Sequence, residues 1–393
     1  MAVLHKAACR AALLVLAALL QACGGGSGSA VPVPPPEPVA AASPLSDSAQ
    51  LGELLFRDPA LSASGRQSCE SCHVPSSAHA PANSLAVQLG GESGLLAGLR
   101  TAPSLRYQAF TPQFGFGKDG APLGGYNADG RASTLAAQAE GPLLAAHEMA
   151  NASKAALADR VRRASYAERF RTVFGAGVFD DPAQAFERIT FALQQFQRQD
   201  ARFQPFDSRF DQSLAGKVQL SAAEQRGLAL FNSPAKGNCM ACHTSTPAPD
   251  GTPPLFTNFG YYALGVPRNA GAASTFGDLG LCGPERGDLR ERSGLCGAFK
   301  VPSLRNVATR QVFFHNGAIA SLRDAVRFHV LRDIQPALWY PREPYDDLPP
   351  QYRGNVVKTA PFDRRPGDTP ALSESDIEDV LAFLRTLSDG YRP

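Results

Sequence analysis

Two short clusters in this 393-residue chain carry residue types that hold metals: Cys69, Cys72 and His73 in "GRQSCESCHVPSS", and Cys239, Cys242 and His243 in "KGNCMACHTSTP". C-x-x-C-H is the spacing of c-type haem attachment. Two cysteines one helical turn apart can reach both vinyl groups as thioethers, and the adjacent histidine is placed to ligate the iron. A lone C-x-x-C would fit zinc or a redox dithiol; two C-x-x-C-H units predict two covalently bound haem c groups. Whether each iron is closed or open then turns on a second ligand. Met1, Met149 and Met240 are the only methionines. Met1 starts the leader and Met240 lies inside its own C-x-x-C-H turn, which leaves Met149. Beyond His5 and the two motif histidines stand His79, His147, His315 and His329.

The elements that must position these clusters read as a repeat. "QLGELLF" (residues 50–56) precedes the first motif and "QRGLALF" (225–231) the second. Both read as helix openings, the second behind a cap at Ser221. Each half closes with an amphipathic helix, "AQAFERITFALQQF" and "SESDIEDVLAFLRTL". Long Gly- and Pro-rich connections lie between, without the period-2 alternation of a sheet. The expectation is a mainly α fold of two cytochrome c-like domains, 46–205 and 206–393, with long irregular loops.

The first residues predict export. His5, Lys6 and Arg10 lead into "AALLVLAALL", too short to span a bilayer and suited to a signal-peptide core over 1–22. "LQAC" resembles a bacterial lipobox, with Cys23 as the lipidated residue of a periplasmic protein anchored to the outer membrane. The Gly- and Pro-rich run over 23–45 reads as a tether. With Cys9 inside the signal, Cys282 and Cys296 remain, and in an exported chain they are expected to pair, closing a loop worth about 3 kcal/mol if unstrained. The formal charge of +2, with no basic block interleaved with aromatics, speaks against nucleic acid.

"FKVPSLRNVATRQVFFHNGAIASLRDAVRFHV" (299–330) and "DGRASTLAAQAEGPLLAAHEM" (129–149) resemble the second-haem and peroxide-pocket segments of the bacterial di-haem cytochrome c peroxidase and MauG family. The tail from "YDDLPPQYRGNV" onward is most similar to the MbnH-type subgroup. The resemblance implies that the haem on His73 meets H2O2, with Gln138, Pro142 and Glu148 on its distal side and Glu148 as acid/base. General chemistry agrees: cleaving the O–O bond needs a group that takes a proton from one oxygen and returns it to the other. The resemblance also puts His329 where the peroxidases carry an axial Met and MauG an axial Tyr, making the second haem bis-His. On its own, "AVRFHVL" leaves that ligation open, and His79, His147 and His315 read more simply as structural. Many relatives carry a Trp before "DGR", where this chain has Ala128. Tyr126 and Trp339 are the candidate relays in its place. Family members often bind Ca2+, and calcium stays an open expectation, since no EF-hand loop occurs here.

The function so implied is an H2O2-dependent oxidoreductase acting on a periplasmic partner protein, a tryptophan on a copper-associated protein if the subgroup holds, through a high-valent di-haem state. One alternative is a peroxidase reducing H2O2 with electrons from a small redox-protein donor. Another is a non-enzymatic electron-transfer lipoprotein.

Overall fold

The first half is built on helices α1 (Asp47–Arg57), α2 (Cys69–Cys72), α3 (Leu135–Leu144), α4 (Lys154–Arg162), α5 (Ala167–Phe174) and α6 (Pro182–Gln199). The second half uses α7 (Arg209–Leu214), α8 (Ala222–Asn232), α9 (Leu322–Leu331) and α10 (Glu374–Arg385). The structure, a computed structural model, describes residues 44–392. The signal segment, Cys23 and nearly all of the tether lie outside them. Strands among the described residues are three two-residue antiparallel pairs: Leu89–Gly90 with Leu96–Ala97, Gly115–Phe116 with Pro122–Leu123, and Tyr261–Tyr262 with Phe299–Lys300. The fold is therefore helical with long loops. None of the described helices is long and apolar enough to cross a membrane.

Local chemistry sets the helix boundaries. Ser46 Oγ accepts the Ala49 amide at the start of α1. At α8, Ser221 and Glu224 satisfy one another's amides in a capping box. Asp181 followed by Pro182 opens α6, where the missing proline N–H costs nothing.

The repeated openings cross the closing helices in the same way, α1 on α6 and α8 on α10. Gly52 makes the first crossing: a Cβ there would lie 2.0 Å from the Ala192 carbonyl oxygen and 2.7 Å from Phe196 Cβ. Gly227 makes the second, where a Cβ would lie 1.9 Å from the Asp379 oxygen and 2.8 Å from Phe383 Cβ. Four residues after each glycine a phenylalanine enters the core, Phe56 edge-on to Phe196 and Phe231 edge-on to Phe383. One core thus draws on residues 51–203 and the other on 210–387. Each fully buried Leu or Phe in them contributes about 1.5–3 kcal/mol.

Buried polar contacts join the two halves. Arg100 donates to both Asp278 oxygens at 2.5 and 2.8 Å and to Asp129 at 2.7 Å. Tyr107 and Arg106 both donate to Asp389, at 2.6 and 3.0 Å. A disulfide joins Cys282 to Cys296, fourteen residues apart with Cα atoms at 4.9 Å, and closes a loop of the second half.

Candidate functional site

Both C-x-x-C-H units open onto one cavity of about 570 Å³ between the two halves. Cys69–Cys72 forms a single α-helical turn and Cys239–Ala241 a 3-10 turn, so each cysteine pair and its histidine lie on the cavity wall. Burial pushes the Cys69 and Cys239 thiols up to about 12, so both are neutral. Among the described residues no three His, Cys, Asp or Glu side chains gather as a metal cluster. An apolar cavity with paired neutral thiols and a histidine on its wall fits a macrocycle that brings its own equatorial ligands.

The histidines are held in the tautomer that ligation needs. His73 Nδ1 donates to the His79 carbonyl at 3.2 Å and His243 Nδ1 to the Phe256 carbonyl at 3.0 Å. Each bond fixes the proton on Nδ1 and leaves Nε2 as the free lone pair. Burial lowers both rings to about 4, so they are neutral. His79 and Phe256 both adopt the left-handed region, at φ 52° and 53°, which turns their carbonyls onto the rings.

A second repeat stands behind these carbonyls. "PSLR" occurs at 103–106 and again at 302–305. Ser104 Oγ donates to the Ala78 carbonyl at 2.5 Å and Ser303 Oγ to the Leu255 carbonyl at 2.6 Å, each one residue before the histidine's acceptor. Sequence reasoning missed these serines, although the repeated tetrapeptide was there to find.

The halves differ in what else faces the cavity. In the second, α9 brings His329 to the wall, with Nδ1 donating to the Ala325 carbonyl at 2.7 Å, so its Nε2 is also free. Burial lowers its pKa, and a proton on His329 would oppose one on His243. Phe314 stacks on His329 at 5.8 Å between centroids. In the first half, α3 carries Gln138 and Pro142 four residues apart on one face, both on the cavity wall. The chain then turns back, the Met149 amide bonding the Pro142 carbonyl at 3.0 Å, and brings Glu148 to the wall. Desolvation by the surrounding cavity wall raises Glu148 to about 6, although its side chain is 44% exposed, with Arg131 opposing the rise and Glu285 adding to it.

The remaining candidates are distributed as follows. His79 packs its ring on Phe203 at 4.2 Å, and its contribution to His73 is the backbone carbonyl. His315 stacks on Phe299 at 3.7 Å, beside Asp347. His147 Nε2 lies 3.7 Å from Glu148. Met149 is buried in the first core. Tyr126 is not among the residues lining the cavity. Its bridge to Ala132 places it in a small cluster with Ala132 and Leu135, while Ala128 lines the cavity. Trp339 is half-buried and meets Phe328 edge-on at 5.5 Å, and Phe328 is 6.2 Å from His329.

Residues 46–219 match the family model of di-haem cytochrome c peroxidase. The methylamine utilization protein MauG of Paracoccus denitrificans is 38% identical, covering 90% of this chain and 92% of its own. Among solved structures, the di-haem peroxidase BthA of Burkholderia thailandensis is similar at 41% identity and a TM-score of 0.82, covering 89% and 88% of the two chains. A MauG-like protein associated with microbial copper homeostasis is similar at 29% identity and a TM-score of 0.62, covering 88% and 91%.

Proposed function

The chain belongs to the di-haem cytochrome c peroxidase family and is a peroxidase-type oxidoreductase, and from that premise we propose that it uses H2O2 to oxidise a partner protein. In this reading Cys69 and Cys72 would hold one haem with His73, and Cys239 and Cys242 would hold the other with His243 and His329. Bound haem iron supplies peroxide binding and two-electron redox chemistry. Everything else falls to the chain's own side chains. Glu148 takes the proton from the near oxygen of peroxide and delivers it to the leaving oxygen. Gln138 and Pro142, on the α3 face that lines the cavity, would confine the peroxide. Peroxide accepts two electrons and two protons and leaves as two waters, and the partner's side chain loses the two electrons.

His329 is the observation that carries the choice of partner protein over soluble donor. Methionine opposite histidine raises a haem's potential; a second imidazole keeps it lower, which disfavours electron intake from a soluble cytochrome. Trp339, reached from His329 through Phe328, is the outward relay in this reading. The likeness to the MauG-like protein associated with microbial copper homeostasis supports a copper-associated partner, and a tryptophan as its oxidised side chain follows only from the subgroup resemblance of the sequence. The export signal and Cys23 support a periplasmic, lipid-anchored enzyme.

Electron paramagnetic resonance of the diferric protein tests this assignment. One high-spin signal that cyanide converts and one low-spin bis-imidazole signal are expected. Two low-spin signals indifferent to cyanide would overturn it in favour of simple electron transfer.

A further inference from the structure

Gly141 sits inside α3, where glycine is among the poorest helix formers. Its φ is not in the left-handed region, and a Cβ built on it meets no atom within 4 Å. Neither backbone conformation nor protein packing therefore calls for a glycine. What Gly141 does border is a second, outer cleft of about 330 Å³, shared with Leu144, His147, Glu148, Arg131 and Glu285. His147, Glu148, Arg131 and Glu285 also line the inner cavity, so they form the common wall between the two spaces. Pro142, the next residue, faces the inner cavity instead.

That wall is assembled from both halves. Arg131 is anchored on buried Asp129 at 2.6 Å and reaches Glu285 at 3.7 Å, with both side chains about one-third exposed. Glu285 comes from the loop closed by Cys282 and Cys296. Arg286 pins that loop to the first half by donating to the Asp129 carbonyl at 2.8 Å and lying over Phe114 at 3.8 Å. The disulfide loop of the second half thus places a carboxylate across the mouth of the first half's site.

We infer that this cleft is the passage by which peroxide reaches Glu148, that Gly141 keeps it open, and that the Arg131–Glu285 pair limits what passes to small hydroperoxides. The inference rests on the reading that the haem on His73 meets peroxide. A side chain at 141 projects into the passage without meeting protein atoms. Removing Glu285 widens the passage while leaving Glu148 in place.

The test uses the diferric holoprotein and stopped-flow rates for cyanide, H2O2 and tert-butyl hydroperoxide. Gly141→Leu is expected to slow cyanide and H2O2 together by roughly tenfold or more, with absorption spectrum and Tm retained, whereas Gly141→Ala stays near the parent. Glu285→Ala is expected to raise the rate for tert-butyl hydroperoxide relative to H2O2 several-fold. Parent-like rates in Gly141→Leu would overturn the passage, and so would a changed haem spectrum, because the glycine would then serve haem packing. Unchanged selectivity in Glu285→Ala would remove the gate. A parent protein that binds neither cyanide nor peroxide would instead refute the reading beneath the inference.

Discussion

The half around His73 and the half around His243 fix their histidines with the same parts and part company over what faces the ring. Each has a glycine crossing, a phenylalanine four residues on, a left-handed residue whose carbonyl holds Nδ1, and a serine that holds the preceding carbonyl. Across the cavity the second half offers another imidazole, His329, and the first offers a carboxylate with a raised pKa, an amide and a proline. In the proposed function, one scaffold used twice separates two roles by a few residues on α3, on the turn that follows it and on α9. Haem attachment belongs to the common scaffold, and reactivity belongs to the differences.

The sharpest way to break the comparison is at Glu148. Glu148→Gln keeps the shape and removes the base, so the peroxide reaction should slow by about 10²- to 10⁴-fold in stopped flow with both haems still attached. An unchanged rate would take Glu148 out of the chemistry. Next come the crossings that the halves share. Gly52→Val and Gly227→Val each force a side chain onto a carbonyl about 2 Å away, and each should cost about 3 kcal/mol or more in denaturant unfolding. A large loss at one and none at the other would mean that the repeat is not mechanically equivalent. His329→Met should raise the second haem's potential in a redox titration without altering peroxide binding at the first. A potential that does not move would remove His329 as the ligand.

The pH profile is the mildest probe. Glu148 must be ionised to accept the proton, and its pKa is raised to about 6. The peroxide rate should hold above that value and fall by roughly tenfold per unit well below it, an inflection that Glu148→Gln should lack.

Short spacings and helical periods are legible in the amino-acid sequence itself. The two C-x-x-C-H units, the repeated helix openings with Ser221 as a cap, and the closing amphipathic helices rest on neighbours within a turn or two, where sequence and geometry coincide. Glu148, Gln138, Pro142 and His329 emerge only through the family resemblance, because nothing local distinguishes a carboxylate bound for a cavity from one bound for solvent. Tyr126 shows the limit from the other side. It lies two residues from Ala128, yet its bridge to Ala132 directs it into another cluster. The serines at 104 and 303 and the passage at Gly141 depend on contacts between segments distant in sequence, among them the loop tied by Cys282 and Cys296, and only the folded chain brings those together.

In the proposed function the two halves share one oxidation, with the first meeting peroxide and the second holding an oxidising equivalent for a partner protein. Adding one equivalent of H2O2 to the purified diferric protein, and recording near-infrared absorption and electron paramagnetic resonance within seconds, tests it most directly. A near-infrared charge-resonance band together with loss of both ferric signals is expected. A diferric protein that stays inert and reacts only after one haem has been reduced would contradict it and identify an electron-fed peroxidase.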